Sequence, residues 1–318
     1  MQTVELQYPL QNVEPNAGPQ VLAIGDFDGV HLGHQEVIHR AVQRGAELHV
    51  PAAIMTFHPH PRQMLGMDTY TKIITPLAAK QTLLRELRVN TTYIVNFSES
   101  FMHLTPEQFV ENILIPLNVN SVFVGFDFRF GHKGAGTPDT LCELAKGRFA
   151  VEIVRQFSLQ GRKVSSTLVR EHLLRGEVRE AMSLLGRPYL LRGTVVHGEA
   201  RGRTIGFPTA NIRVSEPYII PANGVYAVEA RVGDRLYGGV MNIGVKPTFE
   251  SDLAEPTLEV HLFDFSQDIY GEEVAVSLIE FIREERKFTS VQELIAQIAS
   301  DADKARSIVR ERKSVQNS

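Results

Sequence analysis

Over the first half of the chain, short apolar runs alternate with longer stretches of helical spacing. VLAIG (21–25), PAAIMTF (51–57), TTYIVNF (91–97), SVFVGF (121–126) and FAVEIV (149–154) are rich in β-branched and aromatic residues and predict strands. HQEVIHRAVQRGAEL (34–48), LAAKQTLLRELR (77–88), TPEQFVENILIPL (105–117) and TPDTLCELAKG (137–147) lie between them and predict helices. Leu77, Leu83, Leu84 and Leu87 carry the helical period, and Pro106 and Pro138 each follow a threonine, as a helix start prefers. Strand–helix alternation predicts an α/β unit: a doubly wound parallel sheet with helices on both faces. Ligands of such sheets bind beyond the carboxyl ends of the strands.

The pattern changes near Gly186-Arg187-Pro188. From 189 to 282 the chain is β-rich and punctuated by Gly and Pro. NGVYAVEARV (223–232), LYGGVMNIGV (236–245), TLEVHLFDF (257–265) and EVAVSLIEFI (273–282) predict strands of a small antiparallel barrel. Ser290 to Arg312 predicts a helix with Val291, Leu294, Ile295, Ile298, Ile308 and Val309 on its apolar face, packed on the barrel. The expected domains are 1–186 and 187–318.

Composition narrows the function classes. Lys and Arg number 33 against 37 Asp and Glu, for a net charge of −4, and no basic block stands out. A general nucleic-acid surface is therefore not expected. One cysteine, Cys142, excludes an internal disulfide and a multi-cysteine zinc site. The first twenty residues lack the basic start and apolar core of a signal peptide. No apolar run approaches the ~18 residues of a membrane span. The expectation is a cytoplasmic protein without membrane or nucleic-acid partners, of unspecified oligomeric state.

The chemistry concentrates where predicted strands end. GDFDGVHLGH (25–34) hands a strand to a helix. Gly29 and Gly33 free the backbone to approach a phosphate, and the helix N-terminus favours an anion. His31 and His34 are placed to donate hydrogen bonds to phosphate oxygens as charge builds. Asp26 and Asp28 would face one way if the segment were extended. The competing reading is a tight turn with capping or surface histidines; a zinc site lacks further ligands. In VSSTLVREHLLRGEV (164–178), Ser165, Ser166 and Thr167 are helix caps on one reading. On the other, they hold a polyphosphate together with Lys163 and Arg170.

In the second half no P-loop and no protein-kinase signature occurs. GRTIGFPTAN (202–211) combines two flexible glycines, Gly202 and Gly206, with Pro208, Thr209 and Asn211. A hydroxyl and an amide oxygen two residues apart suit Mg²⁺ with nucleotide phosphates, and equally suit a polar hairpin tip. Strand alternation puts Glu259 and His261 on one face and Leu258, Val260 and Leu262 on the other.

Together these segments resemble a known set. GDFDGVHLGH resembles the HxGH signature of the nucleotidylyltransferases, a Rossmann-like fold, and VSSTLVR their later SSTxxR signature. TFHPHP (56–61) and VGFDFRFGHKGAGT (124–137) resemble their flavin-specific members. RGRTIGFPTANI (201–212) and NIGVKPTF (242–249) resemble riboflavin kinase signatures. In order and coverage the chain is similar to the bifunctional bacterial FAD synthetases.

The resemblance implies two transfers. The barrel would phosphorylate riboflavin with ATP to FMN, and the α/β domain would adenylylate FMN to FAD, releasing pyrophosphate. It implies His31 and His34 as catalytic groups of adenylyl transfer. Gly25, Phe27, Asp28, Gly29, Gly33, Asp127, Lys163, Ser166, Thr167 and Arg170 would lie around the nucleotide, and Phe57, Pro59, His60 and Pro61 along the flavin. In the barrel it implies Gly202, Arg203, Gly206, Pro208, Thr209 and Asn211 as ligand-binding, Thr209 and Asn211 as Mg²⁺ ligands, and Glu259 as the general base. REERKF (283–288) resembles the family segment after the last strand, and an exposed charged loop is the competing reading. Two other functions stay open: an HxGH nucleotidylyltransferase for another acceptor, or an inactive flavin-binding protein. TFHPHP and the ordered barrel signatures count against the first, and the intact His31, His34, Thr209, Asn211 and Glu259 against the second.

Overall fold

The computed structural model describes residues 1–10, 18–198, 202, 205–246 and 255–316. The chain forms two compact units, Met1–Ser166 and Thr167–Ser318.

In the first unit the apolar runs become strands of one parallel sheet. They are β1 (Gln2–Leu6), β2 (Gln20–Ile24), β3 (Ala52–His58), β4 (Thr91–Asn96), β5 (Val119–Gly125) and β6 (Ala150–Val154), in the order β1-β4-β3-β2-β5-β6. The edge strand β1 was not expected; it pairs with β4 from Gln2↔Thr91 to Leu6↔Val95. Helices α1 (Leu32–Leu48), α2 (Pro61–Met64), α3 (Leu77–Glu86), α4 (Glu99–Met102), α5 (Pro106–Phe109) and α6 (Pro138–Ala145) connect the strands. The predicted helix 105–117 starts as α5 and runs on through a π-helical turn, Val110–Leu114.

Both faces of the sheet are covered. Val21 and Ala23 of β2 join Val37, Ile38 and Ala41 of α1 and Leu84 of α3 in one core. Leu22 and Ile24 join Phe101, Phe109 and Leu141 in the other. That division explains why β2 reads as a continuous apolar run rather than an alternating one. From β2 the chain winds to β3 and β4 on one side and later to β5 and β6 on the other, which makes the carboxyl ends of β2 and β5 the switch point of the sheet. A small hairpin, β7 (Ser158–Leu159) with β8 (Arg162–Lys163), follows β6.

Helix α7 (Ser166–Leu174) begins where the first unit ends. The second unit continues with α8 (Val178–Leu185) and six strands: β9 (Tyr189–Val196), β10 (Ala210–Val214), β11 (Gly224–Val232), β12 (Arg235–Lys246), β13 (Glu255–Leu262) and β14 (Glu273–Arg283). They close into an antiparallel barrel, β10-β13-β12-β11-β14-β9. Four of the six were predicted individually; β9 and β10 complete the closure.

The final helix, α9 (Val291–Gln316), packs Ala302 and Ala305 on Val225 and Ala227 of β11, while the intervening Tyr226 and Val228 are fully buried. Asp301 of α9 accepts from Arg283 Nε at 3.0 Å and Nη2 at 2.8 Å, a fork that fixes the helix against β14. Val291 was expected on the apolar face and is 56% exposed. The seal is made farther along, by Ala302, Ala305 and Val309. Helix α8 packs on β14 and β9, with Val178, Ala181, Leu184 and Leu185 buried and Arg179 paired to Glu280. No described helix is long and apolar enough to cross a membrane.

Candidate functional site

The chain leaves β2 through a tightly wound turn. Phe27, Gly29 and Val30 take φ of 50°, 87° and 43°, so the segment is not extended. Phe27 is 1% exposed and meets the His34 ring edge-on at 5.3 Å, which ties the turn to the core. Left-handed conformations are costly for Phe and for β-branched Val, and the packing around them must hold them there. Asp26 and Asp28 consequently part company. Asp28, 2% exposed, accepts the backbone N–H of Ile74 at 2.9 Å and Thr75 at 3.1 Å. Asp26 lies 3.9 Å from His60 Nε2. Burial pushes the Asp26 carboxyl above the usual carboxylate range, against the pull of Lys80 and Arg62; the 39% of its side chain left open to solvent tempers the shift.

His31 is the N-cap of α1, and its Nδ1 accepts the His34 backbone N–H at 3.2 Å. With Nδ1 so engaged, a neutral His31 carries its proton on Nε2 as a donor. The His34 ring stacks on it at 3.6 Å with 16° between planes. A Cβ on Gly33 would lie 3.3 Å from the His31 ring and 3.5 Å from Phe157 Cβ, so glycine leaves the imidazole its room. On Gly25 a Cβ would crowd the Phe27 ring at 3.1 Å.

Ser166 Oγ donates to the Asp28 carbonyl at 2.9 Å, which joins the later hydroxyl cluster to the histidine turn. Thr167, exposed, and Arg170, 8% exposed, follow on α7 within the second unit. Asp127, just beyond β5, pairs with Lys163 of β8 at 3.0 Å, and the Lys163 ammonium sits 4.7 Å from the centre of the Phe126 ring.

At the carboxyl end of β3, Phe57 packs on Phe97 at 5.7 Å. His58–Pro59 is a cis peptide, and Pro61 opens α2. His60 caps α2 through Nδ1 and packs at 4.8 Å from Tyr70, while Arg62 bonds the Tyr70 hydroxyl. Phe130 is core at 6% exposure, with Phe128 stacked on it at 5.6 Å.

Sequence reasoning missed Lys80. This lysine of α3 is 6% exposed, and its ammonium donates to the Asp26 carbonyl at 2.6 Å and to Thr56 Oγ1 at 3.2 Å. Burial lowers its pKa, opposed by Asp28 and Asp26.

In the barrel, three polar side chains stand in one row across neighbouring strands: Asn211 of β10 opposite Glu259 of β13, and Glu259 opposite Asn242 of β12. Glu259 and His261 are half-buried while Leu258, Val260 and Leu262 are buried, so the expected alternation holds. Asn242 Nδ2 reaches Glu285 Oε1 at 3.2 Å, which brings the REERKF segment to the row. A Cβ on Gly198 would sit 2.1 Å from Asn211 Nδ2, so that glycine admits the amide.

Gly202 accepts from Phe207 N at 2.9 Å, a Cβ on it would overlap Phe207 O at 2.3 Å, and Gly206 takes φ of 87°. These turns deliver Pro208 and Thr209 beside β10, where His261 Nδ1 bonds Pro208 O at 2.8 Å. Arg203 lies outside the described residues, as do Arg201, Thr204 and residues 247–249 of the quoted signatures. Among the described residues no three His, Cys, Asp or Glu converge on a metal position.

Comparison with known proteins agrees with both halves. The family model for FAD synthetase matches residues 13–168, and that for riboflavin kinase matches residues 185–309. A bifunctional riboflavin kinase/FMN adenylyltransferase of Bacillus subtilis is 44% identical over 96% of this chain and 97% of its own. One of Escherichia coli K12 is 39% identical over 90% and 91%. A crystal structure named as a macrolide-efflux protein from Streptococcus pneumoniae superposes with a TM-score of 0.87 at 34% identity, over 95% of this chain and 97% of that one.

Proposed function

The chain belongs to the family of bifunctional riboflavin kinase/FMN adenylyltransferases, and we propose that adenylyl transfer takes place at the His31–His34 turn and phosphorylation at the Asn211–Glu259 row. The enzyme converts riboflavin and ATP to FMN, and FMN and ATP to FAD. The observation that carries the first assignment is the Ser166–Asp28 bond. It draws two motifs far apart in sequence to one helix N-terminus at the switch point of a parallel sheet.

Adenylyl transfer needs no protein nucleophile. An FMN phosphate oxygen attacks the α-phosphorus of ATP, and the bond to the pyrophosphate oxygen breaks. The protein aligns the reactants and stabilises the added negative charge. His31 Nε2–H and the N-terminus of α1 serve the α-phosphate, His34 supports the His31 ring, and Ser166, Thr167, Arg170 and Lys163 serve the phosphate tail. Gly25, Gly29 and Gly33 give the backbone its approach, Phe27 and Asp28 hold the turn, and Asp127 takes the ribose or adenine side. Phe57, Pro59, His60 and Pro61 line the flavin.

In the barrel, Glu259 takes the proton of the riboflavin 5′-hydroxyl, whose oxygen then attacks the γ-phosphorus of a second ATP; the bond from that phosphorus to the β,γ-bridging oxygen breaks and ADP leaves. Gly202, Arg203, Gly206 and Pro208 shape the nucleotide loop. Thr209 and Asn211 would hold Mg²⁺ through a hydroxyl and an amide oxygen, hard donors of the kind that ion takes. Bound Mg²⁺ would neutralise phosphate charge.

We place the enzyme in the cytoplasm, as its lone cysteine suits a reducing compartment, and assign it small-molecule partners without nucleic acid. Incubation with riboflavin, ATP and Mg²⁺, resolving FMN from FAD, tests the assignment as a whole. Excess chelator is expected to stop both products and added Mg²⁺ to restore them; undiminished FMN formation under chelation removes the metal from the kinase site.

We assign adenylyl transfer to 1–186 and phosphorylation to 187–318. The fragment 187–318 is expected to make FMN and no FAD, since Thr209, Asn211 and Glu259 all lie within it. It will be less stable than 167–318, which keeps the four buried apolar residues of α8 on β14 and β9. Burial of Val178, Leu184 and Leu185 at about 1.5–3 kcal/mol each puts the difference at about 4.5 kcal/mol or more. Urea midpoints of the two fragments check this, and a folded but inactive 167–318 would refute the assignment.

A further inference from the structure

We propose that Lys80 is a positioning residue for adenylyl transfer: its buried ammonium clamps the Asp26 carbonyl and thereby holds the left-handed turn that sets His31 on the N-terminus of α1. The inference rests on the adenylyl-transfer reading of that turn.

The residues between β2 and α1 have little of their own to keep them in place. Phe27 and Val30 occupy conformations that cost side-chain-bearing residues free energy, and nothing in the local sequence repays it. The surroundings must over-determine the turn, and two sets of contacts do so. At Asp28, the carboxylate takes two backbone N–H groups of the Ile74–Thr75 segment, and the carbonyl takes Ser166 Oγ. At Asp26, the carbonyl accepts the Thr56 hydroxyl at 3.0 Å and the Lys80 ammonium at 2.6 Å, and that ammonium also bonds Thr56 at 3.2 Å. Thr56 is fully buried at the end of β3, and Lys80 is 6% exposed on α3.

A lysine so far out of water is costly unless its bonds and neighbouring charges are worth it. Here the neighbours are Asp26 and Asp28, the two acids of the turn. The cation thus offsets part of the negative charge of the turn and ties its first residue to the sheet. Phe27 follows directly and carries the His34 contact, and His34 N holds His31 Nδ1. Lys80 therefore acts on the reaction through the placement of the two rings and not by touching a substrate. Displacement of a reacting group by about 1 Å costs on the order of a hundredfold in rate.

The full-length chain allows a clean test, because riboflavin phosphorylation reports separately on the barrel. Lys80→Met keeps most of the side-chain volume and removes donor and charge; Lys80→Gln restores a donor without the charge. FAD formation from supplied FMN is measured at saturating substrates, well below each variant's unfolding temperature. Lys80→Met is expected to lower kcat about a hundredfold with KM for ATP and FMN within about threefold. Lys80→Gln is expected to recover about tenfold of that loss, and FMN formation should be unchanged in both.

A merely structural role would instead scale both losses with the unfolded fraction and leave kcat per folded molecule intact. Parent-like kcat in Lys80→Met, or equal kcat losses in the two variants, overturns the proposal. If Lys80→Met does not fold, Lys80→Gln decides alone: kcat within twofold of the parent overturns it, and a tenfold fall at constant KM upholds it. His31→Ala run in parallel separates the layers. Unimpaired FAD formation there refutes the reading of the turn itself, while a dead His31→Ala beside a parent-like Lys80→Met refutes only the role of Lys80.

Discussion

Replacing His31 by alanine will lower FAD formation by on the order of a hundredfold or more and leave FMN formation unchanged. The size follows from the loss of one donor aimed at developing charge, which typically costs about 10²–10³ in turnover. His31 has a second job, because its Nδ1 caps α1. Removing a cap costs about 1 kcal/mol of stability, so an alanine variant alone mixes two effects. His31→Asn separates them. Asparagine is among the best N-caps but has no imidazole N–H to give to a phosphate. The expected result is parent-like thermal unfolding with the same hundredfold loss of FAD formation. Steady-state rates with supplied FMN, beside a melting curve, decide it. A parent-like rate in His31→Asn would make the histidine a cap and nothing more.

How much of this was visible before the structure differs from element to element. The buried strands of the parallel sheet announced themselves because both faces are covered and the apolar run is continuous, as in β2 and β5. Strand β1 was invisible for the opposite reason. It is a five-residue edge strand whose burial is confined to Leu6, with Val4 partly covered, and it exists by pairing with β4. In the barrel, β9 alternates between buried and half-buried positions, but its closing partner β10 has one buried residue, Ile212. Closure is a tertiary fact that a five-residue segment cannot state.

The histidine turn shows the limit more sharply. Its residues could be singled out from the sequence, yet its shape could not. An extended reading would have aligned Asp26 with Asp28. The structure instead sends Asp28 inward to the Ile74–Thr75 backbone and leaves Asp26 beside His60. Positive φ at Phe27 and Val30 has no local sequence signal, since both residues disfavour it.

Lys80 did leave a trace. Leu77, Lys80, Leu84 and Leu87 share one helical stripe, so a lysine stood on the apolar face of α3. A charge in that position is rarely buried without a partner, and the partner was the turn three elements away.

The largest effect is expected at Glu259. Glu259→Gln will cut FMN formation by about 10²–10⁴, the usual worth of a general base, and FAD formation from supplied FMN will persist. The barrel explains why one proton acceptor can stand there. Strand alternation buries Leu258 and Val260 and leaves Glu259 half-buried, between Asn211 on one neighbouring strand and Asn242 on the other. Both of those neighbours are neutral amides. Glutamine fills the same space but takes no proton, which makes the change chemical and not steric. Glu259→Asp keeps the carboxylate and draws it back by one methylene, so it should fall between parent and glutamine variant. Asn211→Ala should also stop riboflavin conversion, through loss of the nucleotide and metal contact. The pH profiles tell the two losses apart. A missing base removes the acidic limb of kcat, whereas a missing ligand lowers the whole curve and raises KM for ATP. Parent-like FMN formation in Glu259→Gln would move the base elsewhere, and loss of both activities in a folded variant would defeat the assignment of separate sites.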